Sequence, residues 1–199
     1  MIRNLVLDMG NVLMDWDPQA LAGHFFPEPR QRMLAVKALF ETEDWRRLDA
    51  DAISEEEVLA RMLDRLPREL RPAGRELFFH WHECFPPLPE MNRLAARWKE
   101  RGGRLYLLSN AGLRFEQYCQ SIPVFPLLDG WVVSAFVRQV KPEPAIYRTL
   151  TDRYGLAPRE CFFVDDLAAN VEGALAAGWQ GQVFQGDVDR LWRTLEALG

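Results

Sequence analysis

The 199-residue chain has few cysteines, no long apolar run and no excess of basic residues, and each shortage excludes a class of protein. Cys84, Cys119 and Cys161 are scattered, without the paired spacing that holds zinc or staples a small secreted domain, so they read as reduced, mostly buried thiols. Apolar stretches such as Trp131-Val132-Val133 fall far short of the roughly 20 residues that a membrane-spanning helix needs. At the amino end Leu5-Val6-Leu7 is broken at once by Asp8, where the apolar core of a secretory signal would continue, and a soluble cytoplasmic protein is expected. Lys and Arg number 24 against 29 Asp and Glu, a formal net charge of −5, with Arg interleaved among acids; that balance argues against nucleic acid as a partner, which normally needs clustered positive charge.

What is present is an ordinary globular composition, 48% hydrophobic and 27% charged, which supports a packed core. The length suits one α/β domain with an insertion of a few dozen residues and is too short for two full domains. Ile2 to Leu7 reads as a buried strand feeding a loop at Asp8. From Pro18 to about Phe85 the spacing turns helical, rich in Arg, Glu, Leu, Phe and Trp and nearly free of β-branched residues. Ser54-Glu55-Glu56-Glu57 forms a capping box ahead of the stripe Val58, Leu59, Met62, Leu63 and Leu66. A further helix is expected over Arg71 to Phe85, and Pro86-Pro87-Leu88-Pro89 marks a stiff hinge.

Beyond the hinge, helices over Glu90–Arg101, Leu113–Cys119, Pro144–Tyr154, Leu167–Ala177 and Asp187–Leu198 alternate with strands over Arg104–Leu108, Trp131–Ser134, Cys161–Val164 and Gln182–Phe184. Such alternation predicts a mainly parallel sheet with helices on both faces, and in such sheets ligands bind at the carboxyl ends of the strands. The expected architecture is a Rossmann-like three-layer α/β core, residues 1–14 and 87–199, with a helical cap inserted over 15–86.

The residues just past the strands are Asp8, Ser109-Asn110, Lys141 and Asp165-Asp166. They are the types that a magnesium phosphoryl-transfer site uses: a carboxylate nucleophile, hydroxyl and amide donors, one fixed cation and further hard oxygen ligands. Singly each has a plain alternative, since an acid or Ser-Asn at a strand end can cap a helix and Lys before Pro is usually a solvated turn. Asp165-Asp166 is harder to dismiss, because adjacent carboxylates repel unless a cation or solvent screens them.

Asp8-Met9-Gly10-Asn11-Val12, Leu107-Leu108-Ser109-Asn110, Lys141-Pro142-Glu143-Pro144 with Ile146-Tyr147, and Phe163-Val164-Asp165-Asp166 with Asn170 and Gly173-Ala174 resemble, in order, the four motifs of the haloacid dehalogenase (HAD) superfamily. The helical insert resembles that superfamily's C1 cap. The Asp-x-Gly-Asn-Val form resembles its sugar-phosphate phosphatase branch, which includes α-glucose-1-phosphate phosphatase. The resemblance implies a phosphatase acting on a small phosphorylated metabolite, as a monomer or homodimer. Asp8 would attack phosphorus and carry an aspartyl-phosphate. Mg²⁺ would be held by Asp8, the Gly10 carbonyl and Asp166, with Asp165 binding directly or through water. Ser109 and the Asn110 amide would bind phosphoryl oxygens, Lys141 would stabilise their charge, and Asn170 would orient the acidic pair or simply face solvent on a first helical turn.

One position departs from the pattern. Most phosphatases of the superfamily carry a second Asp two residues after the nucleophile, as general acid and base; here that residue is Gly10. A general acid contributes on the order of 10²- to 10⁴-fold, so Asp15 or Asp17 fills the gap, or the leaving group needs less help, as the anomeric hydroxyl of a sugar-1-phosphate does. The same gap suits a 2-haloacid dehalogenase, which expels halide without a proton, and also a phosphate binder that has lost turnover. His80-Trp81-His82 with Cys84 invites a metal reading, yet only His80 and Cys84 share a helical face, so packing or surface is the expectation. Substrate choice is expected in the cap, where Trp16, Trp45, Arg46 and Arg47 are candidates, with hinges near Met14–Asp17 and Pro86–Pro89.

Overall fold

Continuous apolar strands form the centre of the computed structural model, which describes residues 1–198. β1 (Asn4–Leu7), β2 (Arg104–Ser109), β3 (Gly130–Val133), β4 (Cys161–Asp165) and β5 (Gln180–Val183) make one sheet in the order β3-β2-β1-β4-β5, parallel at every pairing. Side chains alternate between its faces. Leu5, Leu7, Leu105, Leu107, Phe162 and Val164 enter one apolar cluster, and Val6, Tyr106, Leu108 and Phe163 enter the other.

Between β1 and β2 run α1 (Pro18–Gly23), α2 (Pro29–Leu39), α3 (Glu43–Asp49), α4 (Glu55–Arg65), α5 (Arg71–His80) and α6 (Pro89–Glu100). After β2 come α7 (Phe115–Tyr118), then, following β3, α8 (Ser134–Val137) and α9 (Pro144–Tyr154), with α10 (Ala168–Ala176) between β4 and β5 and α11 (Val188–Leu198) last. Leu94, Ala95 and Trp98 of α6 and Leu191 and Leu195 of α11 cover the first face; Ile146, Tyr147 and Leu150 of α9 and Ala174 of α10 cover the second. The result is the Rossmann-like, three-layer α/β architecture expected from the strand-helix alternation.

Local signals account for the helix starts. Pro18, Pro29, Pro89 and Pro144 stand at the first position of their helices, where the missing N–H costs nothing. Ser54 caps α4, its Oγ accepting from Glu57 N at 3.2 Å. Where the chain leaves and rejoins the sheet region its two arms are tied together: Asp15 N donates to Pro86 O at 2.8 Å and Leu88 N to Leu13 O at 2.9 Å.

Several expected elements differ in extent; β1 begins at Asn4 rather than Ile2. The helix expected over Arg71–Phe85 stops at His80 and tightens to a 3₁₀ turn at Trp81–Cys84, and the one over Leu113–Cys119 shrinks to α7. Ser134 begins α8 rather than ending β3. β5 lies two residues earlier than Gln182 because the ladder with β4 sets its register, Phe162 opposite Gln180, and its half-buried Gln-Gly-Gln carries no alternation to read.

Level strand ends create the site. Leu7 sits opposite both Leu107 and Val164, so the residues that follow β1, β2 and β4 emerge side by side at one edge of the sheet.

Candidate active site

Asp8 is fixed by its own backbone, whose N–H donates to Val164 O at 2.9 Å, tying the end of β1 to β4. Lys141, with its side chain 1% exposed, reaches between two acids: Nζ lies 2.7 Å from Asp8 Oδ1 and 2.6 Å from Asp165 Oδ2. Burial alone would push this ammonium down, but the charges of Asp8 and Asp165 outweigh it and hold its pKa above the ordinary value. Burial raises the Asp8 carboxyl to about 6 against the pull of Lys141, and the Asp165 charge adds to the rise.

Asp165 is saturated by protein donors. Oδ1 accepts from Leu167 N at 2.8 Å, Oδ2 accepts from Lys141, and Asn170 Nδ2 lies 3.0 Å from both oxygens. Asn170 is buried rather than solvated, and its carbonyl accepts from Tyr147 Oη at 2.7 Å. Asp166 is freer: its Oδ2 accepts from Asn11 Nδ2 at 2.9 Å, and burial, its largest influence, raises its pKa. Asp8, Asp165 and Asp166 each offer an oxygen within 4.8 Å of the others. Among the described residues this is the one group of three or more His, Cys, Asp or Glu arranged to hold a metal ion.

Ser109, at the end of β2, is buried beside the same cavity. The Asn110 side chain clamps the loop after α8, Nδ2 donating to Lys141 O at 3.0 Å and Oδ1 accepting from Lys141 N at 2.8 Å. Asn11 takes φ +54°, a left-handed conformation that Asn tolerates, and its Oδ1 accepts from Trp16 N at 3.0 Å. Nothing local to the Asp8–Val12 motif signals this double role of Asn11.

Asp8, Gly10, Ser109, Asn110, Lys141, Asp166 and Asn170 line a cavity of about 830 Å³. Its far wall is aromatic. Trp16 and Trp45 stack at 6.0 Å and 24°, and Phe40, Trp81 and Phe85 meet Trp16 edge-on at 5.3 to 5.7 Å. Arg46 and Arg47 stand at the mouth, Arg46 near Glu43 at 3.4 Å and Arg47 donating to Ala52 O at 3.1 Å.

The structure does not bring Asp15 or Asp17 to this site. Both are exposed and neither lines the cavity; Asp17 Oδ1 instead caps α1, accepting from Gln19 N at 2.8 Å and Ala20 N at 3.1 Å. The chain turns away because Asp15 is tied to Pro86. Besides Asp8, Asp166 and the exposed Glu43, the acid that does line the cavity is Asp49, at the end of α3, which sequence reasoning missed. Burial pushes its carboxyl up to about 7, the Asp8 charge adding to the rise while the Gly112 amide opposes it. His80 is taken by Glu83 at 2.8 Å and Glu76 at 3.6 Å and binds no cluster with Cys84.

The family model for haloacid dehalogenase-like hydrolases matches residues 2–178, which contain every residue of this constellation. The chain belongs to that family. This HAD-type hydrolase is 27% identical over 154 residues to "Phosphatase MT3486" of Mycobacterium tuberculosis, covering 74% of the chain and 69% of the relative. It is 23% identical over 180 residues to "Sesquiterpene phosphatase astK" of Aspergillus oryzae, covering 88% and 86%. In fold it is similar to the HAD family enzyme bt-2542 of Bacteroides thetaiotaomicron in complex with magnesium and inorganic phosphate, at TM-score 0.71 and 21% identity, covering 94% of this chain and 96% of that one. Among the described residues of the HAD-type hydrolase, no helix is long and apolar enough to cross a membrane.

Proposed function

We propose that this enzyme hydrolyses phosphate monoesters with the help of Mg²⁺, through an aspartyl-phosphate on Asp8. The observation that carries the reading is the convergence of three carboxylates against a single buried ammonium, a negative excess suited to a hard divalent cation. Asp8, the Gly10 carbonyl and Asp166 would hold the ion. The full complement of donors on Asp165 favours its acting through water. When bound, the ion neutralises charge between a carboxylate nucleophile and a phosphate dianion.

The protein's own groups do the remaining work. Lys141 stabilises charge spread over the phosphoryl oxygens, while Ser109 and the Asn110 amide donate to them from the end of β2. Asn170 and Asn11 keep the two adjacent acids in place. Residues 15–86 act as a cap, and their aromatic wall excludes water over the cavity. The adjacent acids Asp165-Asp166 have little use without a cation and fit a magnesium site better than halide expulsion, which favours the phosphatase reading over a 2-haloacid dehalogenase.

The substrate proposed is a small phosphorylated metabolite, with a sugar phosphate foremost. A sugar ring offers a C–H face to Trp16 or Trp45 and hydroxyls to Glu43, Arg46 and Arg47 at the mouth. Three free thiols fit a cytoplasmic setting. Phosphate release should be screened over sugar and isoprenoid phosphates, with and without Mg²⁺, beside a chloroacetate control and an Asp8→Asn variant. Release that needs Mg²⁺ and vanishes in the variant is expected. Halide release from chloroacetate, or undiminished phosphate release in Asp8→Asn, would overturn the reading.

A further inference from the structure

Hydrolysis at Asp8 leaves a proton unaccounted for. When the oxygen of Asp8 bonds to phosphorus and the ester bond breaks, the departing alkoxide needs a proton; when water later displaces Asp8, that water must lose one. The residue two places after the nucleophile is Gly10, which carries no acid. None of the three histidines lines the cavity.

Four carboxylates do line it: Asp8, Glu43, Asp49 and Asp166. Asp8 and Asp166 belong to the acidic cluster. Glu43 is at the open mouth, its side chain 72% exposed and paired with Arg46. That leaves Asp49. It ends α3 and is bound to the sheet region through its carbonyl, which accepts from Ser134 Oγ at 2.5 Å at the start of α8.

We propose that Asp49 protonates the leaving oxygen and then takes a proton from the hydrolytic water, filling from the helical segment the role left open at Gly10. The assignment rests on the phosphatase reading above. Atoms balance over the cycle: the proton given to the alcohol is replaced by the one water loses, phosphate departs, and Asp8 is again a free carboxylate. Because Asp49 lies on α3, the acid is present only while that helix covers the cavity, so closure and proton supply are one event.

The surroundings suit a carboxyl that holds its proton near neutrality. The charge of Asp8, at the end of β1 in the same cavity, disfavours its ionisation. Tyr118 of α7 and the Arg114–Glu55 pair, whose charges compensate, line an adjoining hollow with it, and Arg46 and Arg47 precede it on its own helix.

The test compares p-nitrophenyl phosphate, whose leaving group needs no proton, with a hexose 6-phosphate, whose leaving group does, using the Mg²⁺-loaded enzyme. Asp49→Asn should lose on the order of 10²-fold or more in kcat/KM, which reports the transfer to Asp8 before the water step common to both esters, on the hexose phosphate and less than about tenfold on the aryl ester, which also reports that fold and nucleophile are intact. Wild-type kcat/KM on the hexose phosphate should fall on the alkaline side as Asp49 loses its proton, and on the aryl ester it should not. That second comparison decides the matter if the variant does not fold. Equal loss on both esters in a folded variant, no loss on either, or identical wild-type pH profiles would overturn the assignment. No phosphate release from wild type on any monoester would instead remove the phosphatase reading itself, and Asp49's role with it.

Discussion

Arg114, just after β2, grips Glu55 at the start of α4 in a two-pronged ion pair, Nε to Oε1 at 2.6 Å and Nη2 to Oε2 at 2.8 Å. Its Nη1 also donates to Phe79 O at 2.9 Å, and the guanidinium lies 4.8 Å from the Phe79 ring. One side chain therefore fastens two helices of the 15–86 segment to the sheet region. Arg114→Ala strands a carbonyl as well as a carboxylate and should cost about 2 to 3 kcal/mol in a urea melt, with KM raised more than kcat is lowered. Glu55→Gln, at a partly exposed side chain, should cost less than about 1 kcal/mol.

Lys141 is the counter-charge to a buried acid pair, and its removal should show in the metal response. Lys141→Ala leaves Asp8 and Asp165 facing each other, at a cost of about 3 to 5 kcal/mol near neutral pH. Thermal melts should then show a larger gain on adding Mg²⁺ than wild type shows, together with loss of turnover. Acid should narrow the gap, since Asp8 takes up its proton below about 6.

Gly173 explains one part of the fourth motif. A Cβ built there would lie 2.7 Å from Pro142 O and 2.8 Å from Tyr147 Oη, so only glycine lets α10 approach the loop that carries Lys141. Gly173→Ala should cost about 1 to 3 kcal/mol and lower kcat through the displaced Lys141, measurable by melt and by phosphate release.

Much of this site was legible because parallel strands buried on both faces read as unbroken apolar runs, and their ends locate Asp8, Ser109 and Asp165 without coordinates. Lys141 was found by chain order. Asp49 was not, because Leu48-Asp49-Ala50-Asp51 looks like any acidic helix end, and only tertiary packing brings it near Asp8. Asp17 drew attention for the converse reason: proximity in sequence to Asp8 suggested a catalytic part, whereas the free amides of α1 claim its carboxylate. Asn11 stood in plain view inside a motif, but its tie to Asp166 spans 155 positions and has no local signature.

Asp49 should also govern how stability varies with pH. Its carboxyl ionises near 3.8 in an unfolded chain and is pushed up to about 7 in the folded one. Between these values the folded chain binds the extra proton, so its stability falls as pH rises and the whole penalty is present above 7. Asp49→Asn removes that penalty. In urea melts without Mg²⁺ the variant should gain about 2 kcal/mol on wild type near pH 8, an amount discounted because the residue is only half-buried, and the gain should vanish by about pH 4. A variant that is catalytically crippled on alkyl phosphates yet more stable at alkaline pH would mark Asp49 as a group held for its chemistry at the expense of the fold. A constant difference across the pH range would mean that the carboxyl ionises normally in the folded chain.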